Sequence, residues 1–130
     1  MLEISNKQLR AIWLERHLLS KNPVGPLDVM RIIKDLGFVQ IDTIQNVARA
    51  HHHILWSRNQ NYRSKKIDKH LGRAGDLFEH FTHDASMLPT EFFPFWRRRF
   101  AQMEARLKKW DFYAQPQRAE EAAEILKRIE

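Results

Sequence analysis

An amide and a carboxylate stand two positions apart in a short segment that alternates apolar and polar side chains, residues 38–43. Such alternation predicts a β-strand in which Phe38, Gln40 and Asp42 share one side. A carboxylate in this position can act as a general base or stabilise a developing cation, and the amide can orient the same water molecule. The alternative is an ordinary strand with two polar residues facing solvent. From the residues alone, both interpretations of Gln40 and Asp42 stay open.

A second polar cluster belongs to residues 77–82, which are predicted to form another strand, and to the residues that follow them. It consists of Glu79, His80, His83 and Asp84 among apolar neighbours. Residues 83–89 are predicted to form a turn or a short helix that the proline at position 89 stops. His83 either makes structural hydrogen bonds or completes a site with the first strand.

Three consecutive histidines, His51, His52 and His53, do not predict a metal site. Consecutive side chains on a helix diverge by about 100°, so the three rings cannot ligate one ion together. We expect one ring to be buried, one to lie near the surface and one to be exposed. No metal and no organic cofactor is predicted.

Basic residues are frequent on the helix predicted over residues 90–109, and they surround an aromatic stripe. Such a run is either a solvated helix face or a set of phosphate contacts. The candidates for DNA contacts are Arg58, Arg97, Arg98 and Lys108.

The composition is that of a globular protein, and its positive charge suits a polyanionic partner. The chain has 130 residues, a mass of 15.6 kDa, a net charge of +6 and a pI near 9.9. Lys and Arg gain binding energy when they displace counterions from phosphates, although ordinary surface solubility explains such a charge equally well. The sequence contains no cysteine, which excludes disulfides and thiolate metal sites and fits a reduced, cytoplasmic setting. No signal peptide or membrane-spanning run is present in the sequence.

The elements that would position these residues are mostly helices. A capping box at Ser5 and Gln8 predicts a first helix over residues 6–19, and Gly37 is placed to cap a second helix over residues 27–36. Further helices are predicted from residue 45 or 46 to 57 or 58, and over residues 65–71, 90–109 and 117–129. Short helices, a tight turn and short strands favour a mainly α fold of the helix-turn-helix or winged-helix type.

Two long blocks of this sequence resemble a known family. GFVQIDTI (37–44), ARAH (48–51) and LWSR (55–58) are similar to the signature of the bacterial winged-helix DNA glycosylases, the YcaQ-like crosslink-repair family. FEHFTHDASMLP (78–89) resembles its second block, E-Y-W-x-H-x-A-x-x-L-P, with His80 and Phe81 in place of the usual Tyr-Trp. WDFY (110–113) is similar to its aromatic connector. The resemblance covers roughly residues 9–129.

The resemblance implies a monofunctional glycosylase that excises bulky N-alkylated purines from double-stranded DNA and unhooks interstrand crosslinks without a cofactor. It implies that Gln40 and Asp42 are the catalytic residues: Asp42 stabilises charge and activates water, and Gln40 holds that water. His83 matches the histidine of the second block, and Glu79, Arg49 and His51 are further candidates for supporting the site. The rival hypothesis is a non-enzymatic winged-helix regulator, which would bind duplex DNA and release no base.

The resemblance also implies a domain organisation. Members of the family consist of several tandem winged-helix units, so residues 1–113 would form the first unit and residues 114–130 the first helix of the next. We therefore expect this chain to be an N-terminal portion, a monomer associated with the bacterial nucleoid in the cytoplasm. For the 130 residues alone we expect weak, salt-dependent DNA binding and little or no catalysis.

Overall fold

The computed structural model describes residues 3–72, 75–110 and 116–129, and the chain divides into two compact units, Met1–Phe92 and Phe93–Glu130. The first unit contains helices α1 (Asn6–Arg16), α2 (Val29–Leu36), α3 (Ala50–Trp56) and α4 (Lys65–Leu71) and strands β1 (Val39–Gln40), β2 (Leu77–Phe81) and β3 (Ala85–Pro89), followed by a 3₁₀ turn, Thr90–Phe92. The second unit contains α5 (Phe93–Leu107) and α6 (Pro116–Ile129).

The first two helices begin and end where local chemistry places them. The Ser5 hydroxyl accepts the Gln8 N–H and the Gln8 side chain accepts the Ser5 N–H, which confirms the predicted capping box of α1. The Asp28 carboxylate accepts the Arg31 N–H at the start of α2. Gly37 ends α2 with φ +86°, a conformation that residues with a Cβ rarely adopt, so the predicted glycine cap is confirmed.

The strands form one antiparallel sheet in the order β1-β3-β2. Val39 and Gln40 pair with Met87 and Ser86, and β2 pairs with β3 along its whole length. Two helices, a strand, two helices and a two-stranded hairpin follow one another in the chain, so the first unit is mainly α and winged-helix-like, as predicted.

The core lies between α2, α3, α4 and one face of this sheet. It consists of buried side chains from every one of these elements and from the turn before α4: Val29, Ile33, Val39, Leu55, Tyr62, Ile67, Leu77 and Met87. Burial of such side chains supplies the main driving force for folding of this unit, at about 1.5–3 kcal/mol for each large apolar residue.

Three sequence-based predictions of secondary structure are wrong. Of residues 83–89 only His83 and Asp84 form a turn, because Ala85–Pro89 is the central strand β3 and hydrogen-bonds with β1 and β2 on its two sides. The first strand ends at Gln40, so Asp42 lies in the following loop. Helix α3 begins at Ala50 rather than at residue 45 or 46, because Gln45 and Arg49 form an isolated β-bridge.

Apolar stripes on three helices are more exposed than their spacing predicts. Leu9, Ile12 and Trp13 on α1 are exposed, and α1 ends at Arg16 rather than residue 19. In the second unit Phe95 on α5 and Leu126 on α6 are exposed. The predicted connector at residues 110–113, apart from the exposed Trp110, and the predicted domain boundary at 113/114 fall on residues 111–115, outside the described part of the chain. No helix among the described residues combines the length and the hydropathy that crossing a bilayer requires.

Candidate active site

The Gln40 side chain lies at the end of β1 between two residues of the β2–β3 turn. Its Nε2 donates a hydrogen bond to Oδ2 of Asp84, and its Oε1 accepts one from Nε2 of His83, both at 3.2 Å. A carboxylate only accepts and an amide oxygen only accepts, so these partners fix the orientation of the amide and require a proton on Nε2 of His83. The amide keeps one N–H and one oxygen lone pair beyond these two bonds. That is the set of groups needed to hold a water molecule.

The turn that carries His83 and Asp84 is itself held by a short hydrogen-bond network. The Ser86 side chain is fully buried, its hydroxyl donates to the Asp84 carbonyl at 3.0 Å, and it lies 3.0 Å from the Thr82 hydroxyl. The Asp84 carboxylate also accepts the Ala85 N–H at 2.8 Å. The Phe38 ring packs against His83 with centroids 5.9 Å apart, near perpendicular. These contacts with the backbone, with the buried Ser86 and with Phe38 hold His83 and Asp84, the two partners of Gln40, in place.

Asp42 lies two residues beyond Gln40, where the chain has left the sheet. Its Oδ1 accepts the Ile44 N–H at 2.8 Å, which fixes the carboxylate against the loop. The side chain is half-buried. Asp42 also acts electrostatically on His51, so the loop places this carboxylate near the start of α3.

The three histidines of α3 have three different environments, as the sequence predicts. His51 is buried and its Nδ1 has no hydrogen-bond partner among the described residues. Burial lowers the pKa of His51, and the neighbouring His52 and Arg49 lower it further. His52 is half-buried with Nδ1 2.9 Å from the Tyr62 hydroxyl, and His53 is exposed. Among the described residues no group of three or more His, Asp or Glu side chains could hold a metal ion.

Two of the candidate residues lie elsewhere. Glu79 pairs with Met87 whereas Gln40 pairs with Ser86, and because consecutive strand residues alternate, Glu79 faces the opposite side of the sheet. Arg58 was a candidate for DNA contact, but its Nε donates to the His17 carbonyl and its Nη1 to the Ile54 carbonyl, both at 3.1 Å. Arg58 therefore ties the end of α3 to the segment after α1, and its contact with DNA stays a prediction.

The remaining basic candidates belong to the second unit. Arg97 and Arg98 are exposed on α5. Lys108 forms an ion pair with Glu104 at 2.6 Å, and both side chains are more than half exposed. Surface pairs of this kind contribute little and exchange readily for other partners.

A cleft of about 820 Å³, which the sequence alone did not reveal, lies between the loop before α3 and the turn before α4. Its walls include Val47, Arg49, Trp56 and Arg63. Trp56 and Val47 are 47% and 87% exposed, unusual values for large apolar side chains beside a packed core. The sequence does not reveal the exposure of Val47, because residues 44–48 fit a helical period and this pattern predicts a buried helix face.

The fold is a small winged-helix-like unit with an anchored cluster of polar side chains at the edge of its sheet. A model of the family described as DNA glycosylase AlkZ-like matches residues 33–130, three quarters of the chain, and includes β1, the Asp42 loop and the β2–β3 hairpin. The chain belongs to this DNA glycosylase family, so DNA repair and DNA binding are its functional context. No solved structure matches the chain.

Proposed function

We propose that this chain carries the catalytic groups of a DNA glycosylase that hydrolyses the N-glycosidic bond of bulky N-alkylated purines and unhooks interstrand crosslinks. Membership of the AlkZ-like family supports the reaction class. The hydrogen-bonded Gln40 amide, beside the Asp42 loop, is the observation that carries the assignment of residues.

The substrate chemistry sets what these groups must do. A purine alkylated at N7 or N3 carries a positive charge, so it leaves with the electron pair of the C1′–N bond without further protonation. The sugar then develops oxocarbenium character, and a water oxygen forms the new bond to C1′. The water must lose one proton, and the positive charge on the sugar must be stabilised while it exists.

We assign the water to Gln40. Because Asp84 and His83 each use one side of the amide, the remaining N–H and oxygen lone pair point away from both. A water molecule bound there is positioned without any reorganisation of the side chain, and positioning of this kind lowers the entropic part of the barrier.

We assign charge stabilisation and proton acceptance to Asp42. Oδ1 is held by the Ile44 N–H, so Oδ2 is the oxygen that takes the proton of the attacking water. General base catalysis of this kind contributes about 10²–10⁴-fold to a rate. His83 and Asp84 act as positioning residues for Gln40, whereas Arg49 and His51 border the Asp42 loop and Arg97 and Arg98 offer charge to the DNA backbone.

The experiment is release of a base from duplex DNA that contains one N7-alkylated guanine, with undamaged duplex as the blank. It uses the complete gene product, including any residues that precede or follow this chain. Gln40→Ala and Asp42→Asn should each reduce release by about 10²–10⁴-fold. Asp35→Asn, an exposed carboxylate on α2 that pairs with Arg31, is the matched control and should leave release unchanged. Full activity in both site variants would refute the assignment of chemistry to this strand and loop.

A further inference from the structure

The cleft beside α3 combines positive charge with exposed apolar surface. Ten described residues line it; two are arginines, two are histidines and none is acidic. The residues that line the cleft therefore favour an anionic ligand with an apolar part. A protein partner with an acidic, apolar face would need a broad patch, whereas this surface is concave and local.

The charge of the cleft comes from Arg49 and Arg63. The Arg49 guanidinium makes no hydrogen bond or ion pair with any residue that the structure describes. Arg63 donates from Nη1 to the Gln60 and Tyr62 carbonyls at 2.8 and 2.6 Å, which fixes its guanidinium at the rim of the cleft. His52 adds no charge at neutral pH, because its pKa is lowered, first of all by burial. One arginine is thus fixed and the other is open to an incoming anion.

The apolar part of the cleft includes the exposed aromatic ring of Trp56. Trp56 is the last residue of α3 and presents nearly half of its surface. Tyr62 also lines the cleft, is buried at 2% exposure, and its hydroxyl lies 2.9 Å from Nδ1 of His52. An indole held at the end of a helix, beside guanidinium groups, is the combination with which proteins bind unpaired nucleotides by stacking and phosphate contact.

We infer that this cleft binds one unpaired nucleotide of a DNA strand, with the base stacked on Trp56 and its phosphate contacted by Arg49 and Arg63. The volume of about 820 Å³ accommodates a nucleotide. The cleft adjoins the Asp42 loop through the chain, because Arg49 lies seven residues after Asp42 and both act electrostatically on His51. An enzyme that acts on a base in duplex DNA has to unstack a nucleotide, so a nucleotide site beside the Asp42 loop serves the reaction. This inference rests on the proposed function for its biological meaning and on the cleft alone for its binding.

The test compares two undamaged DNA duplexes, one fully paired and one with a single unpaired nucleotide, by fluorescence anisotropy with the full chain. The wild-type protein should bind the duplex with the unpaired nucleotide about tenfold more tightly, a typical effect of one stacked base. Trp56→Ala should abolish that preference and leave the Kd for the paired duplex almost unchanged. Trp56→Phe, which keeps an aromatic face, should retain most of the preference.

Two matched variants separate this site from general effects. Trp13→Ala removes another exposed tryptophan, on α1 and outside the cleft, and should keep the preference. Arg49→Gln should lower the slope of log Kd against log salt by about 0.9 for each phosphate that the variant no longer neutralises, whereas Arg10→Gln on α1 should not. A Trp56→Ala protein that keeps the preference, or a Trp13→Ala protein that loses it equally, would overturn the inference.

The two proposals fail separately, because this binding assay needs no base excision. If Asp42→Asn abolishes base release but Trp56→Ala binds like the wild type, the cleft proposal is wrong and the glycosylase proposal stands. If the cleft discriminates the unpaired nucleotide but no alkylated base is released, the reverse holds.

Discussion

Gln40 and Arg49 are nine residues apart in the chain, and their side chains have opposite kinds of surroundings. The Gln40 amide is held on both sides by His83 and Asp84, whereas the Arg49 guanidinium has no polar partner among the described residues. The difference agrees with the two tasks that we propose for these residues. A group that directs a water molecule must be fixed before the substrate arrives, and a cation that contacts a phosphate can adjust when the strand arrives.

The largest effect on base release is expected from a substitution that frees the Gln40 side chain and leaves Gln40 itself unchanged. In Asp84→Asn the new side chain keeps an oxygen for the Ala85 N–H, so its NH₂ group meets the NH₂ group of Gln40. The amide then turns away from its position. A hydrogen bond to a charged group contributes about 1.5–3 kcal/mol, so base release at saturating protein should fall about tenfold or more. Asp76→Asn, which alters a carboxylate paired with His70 outside the cluster, is the control. Equal release by both variants would mean that Gln40 does not depend on its anchors.

A smaller effect is expected from removal of the buried Ser86 hydroxyl, which holds the β2–β3 turn. Ser86→Ala removes the hydroxyl that donates to the Asp84 carbonyl and lies beside Thr82. The free energy of unfolding, measured in urea, should fall by about 1 kcal/mol, the usual net value of one hydrogen bond. Base release should decline with it, whereas the preference for an unpaired nucleotide should not. A decline in both would show that the cluster and the cleft are not separate.

The smallest effect concerns the pH dependence of stability, which His51 and His52 on α3 should influence. Burial lowers the pKa of His51 and His52 below the ordinary value of 6.5. Below pH 6.5 the unfolded chain therefore binds protons that the folded chain does not, and the free energy of unfolding decreases as pH falls. Thermal melting between about pH 8 and pH 5 should show a constant Tm at the upper end and a falling Tm below the ordinary histidine pKa. His51→Leu should flatten the decline, and an undiminished decline in that variant would assign it to other groups.

Local signals in the sequence determined much of the fold. The capping box at Ser5, the glycine at position 37 and the bounds of α4 were predictable because each depends on residues within a few positions. Strand β3 was not, because its pairing with β1 and β2 depends on residues distant in sequence. Two helices show the same limit. Both α1 and α2 have an apolar stripe, yet Ile33 on α2 is fully buried and Ile12 on α1 is 46% exposed. A stripe indicates a helix but not what it packs against.

The candidate site divides in the same way. The spacing of Gln40 and Asp42 was visible in the sequence, and His83 was a candidate for completing a site with the first strand. The hydrogen bonds that the Gln40 amide accepts from His83 and donates to Asp84 join residues more than forty positions apart. The early end of β1, which moves Asp42 into a loop, and the cleft around Trp56 both depend on how that loop returns to α3. The spacing of apolar and polar residues in the sequence does not predict the path of that loop.

The central claim is that Asp42 acts on the chemical step and not on DNA binding. The direct measurement is the single-turnover rate of base release from DNA with one N7-alkylated guanine, at protein concentrations well above Kd, together with Kd itself. For Asp42→Asn we predict a rate about 10²–10⁴-fold below wild type and a Kd within about twofold of it. A rate that returns to the wild-type value when the protein concentration is raised would contradict this role of Asp42.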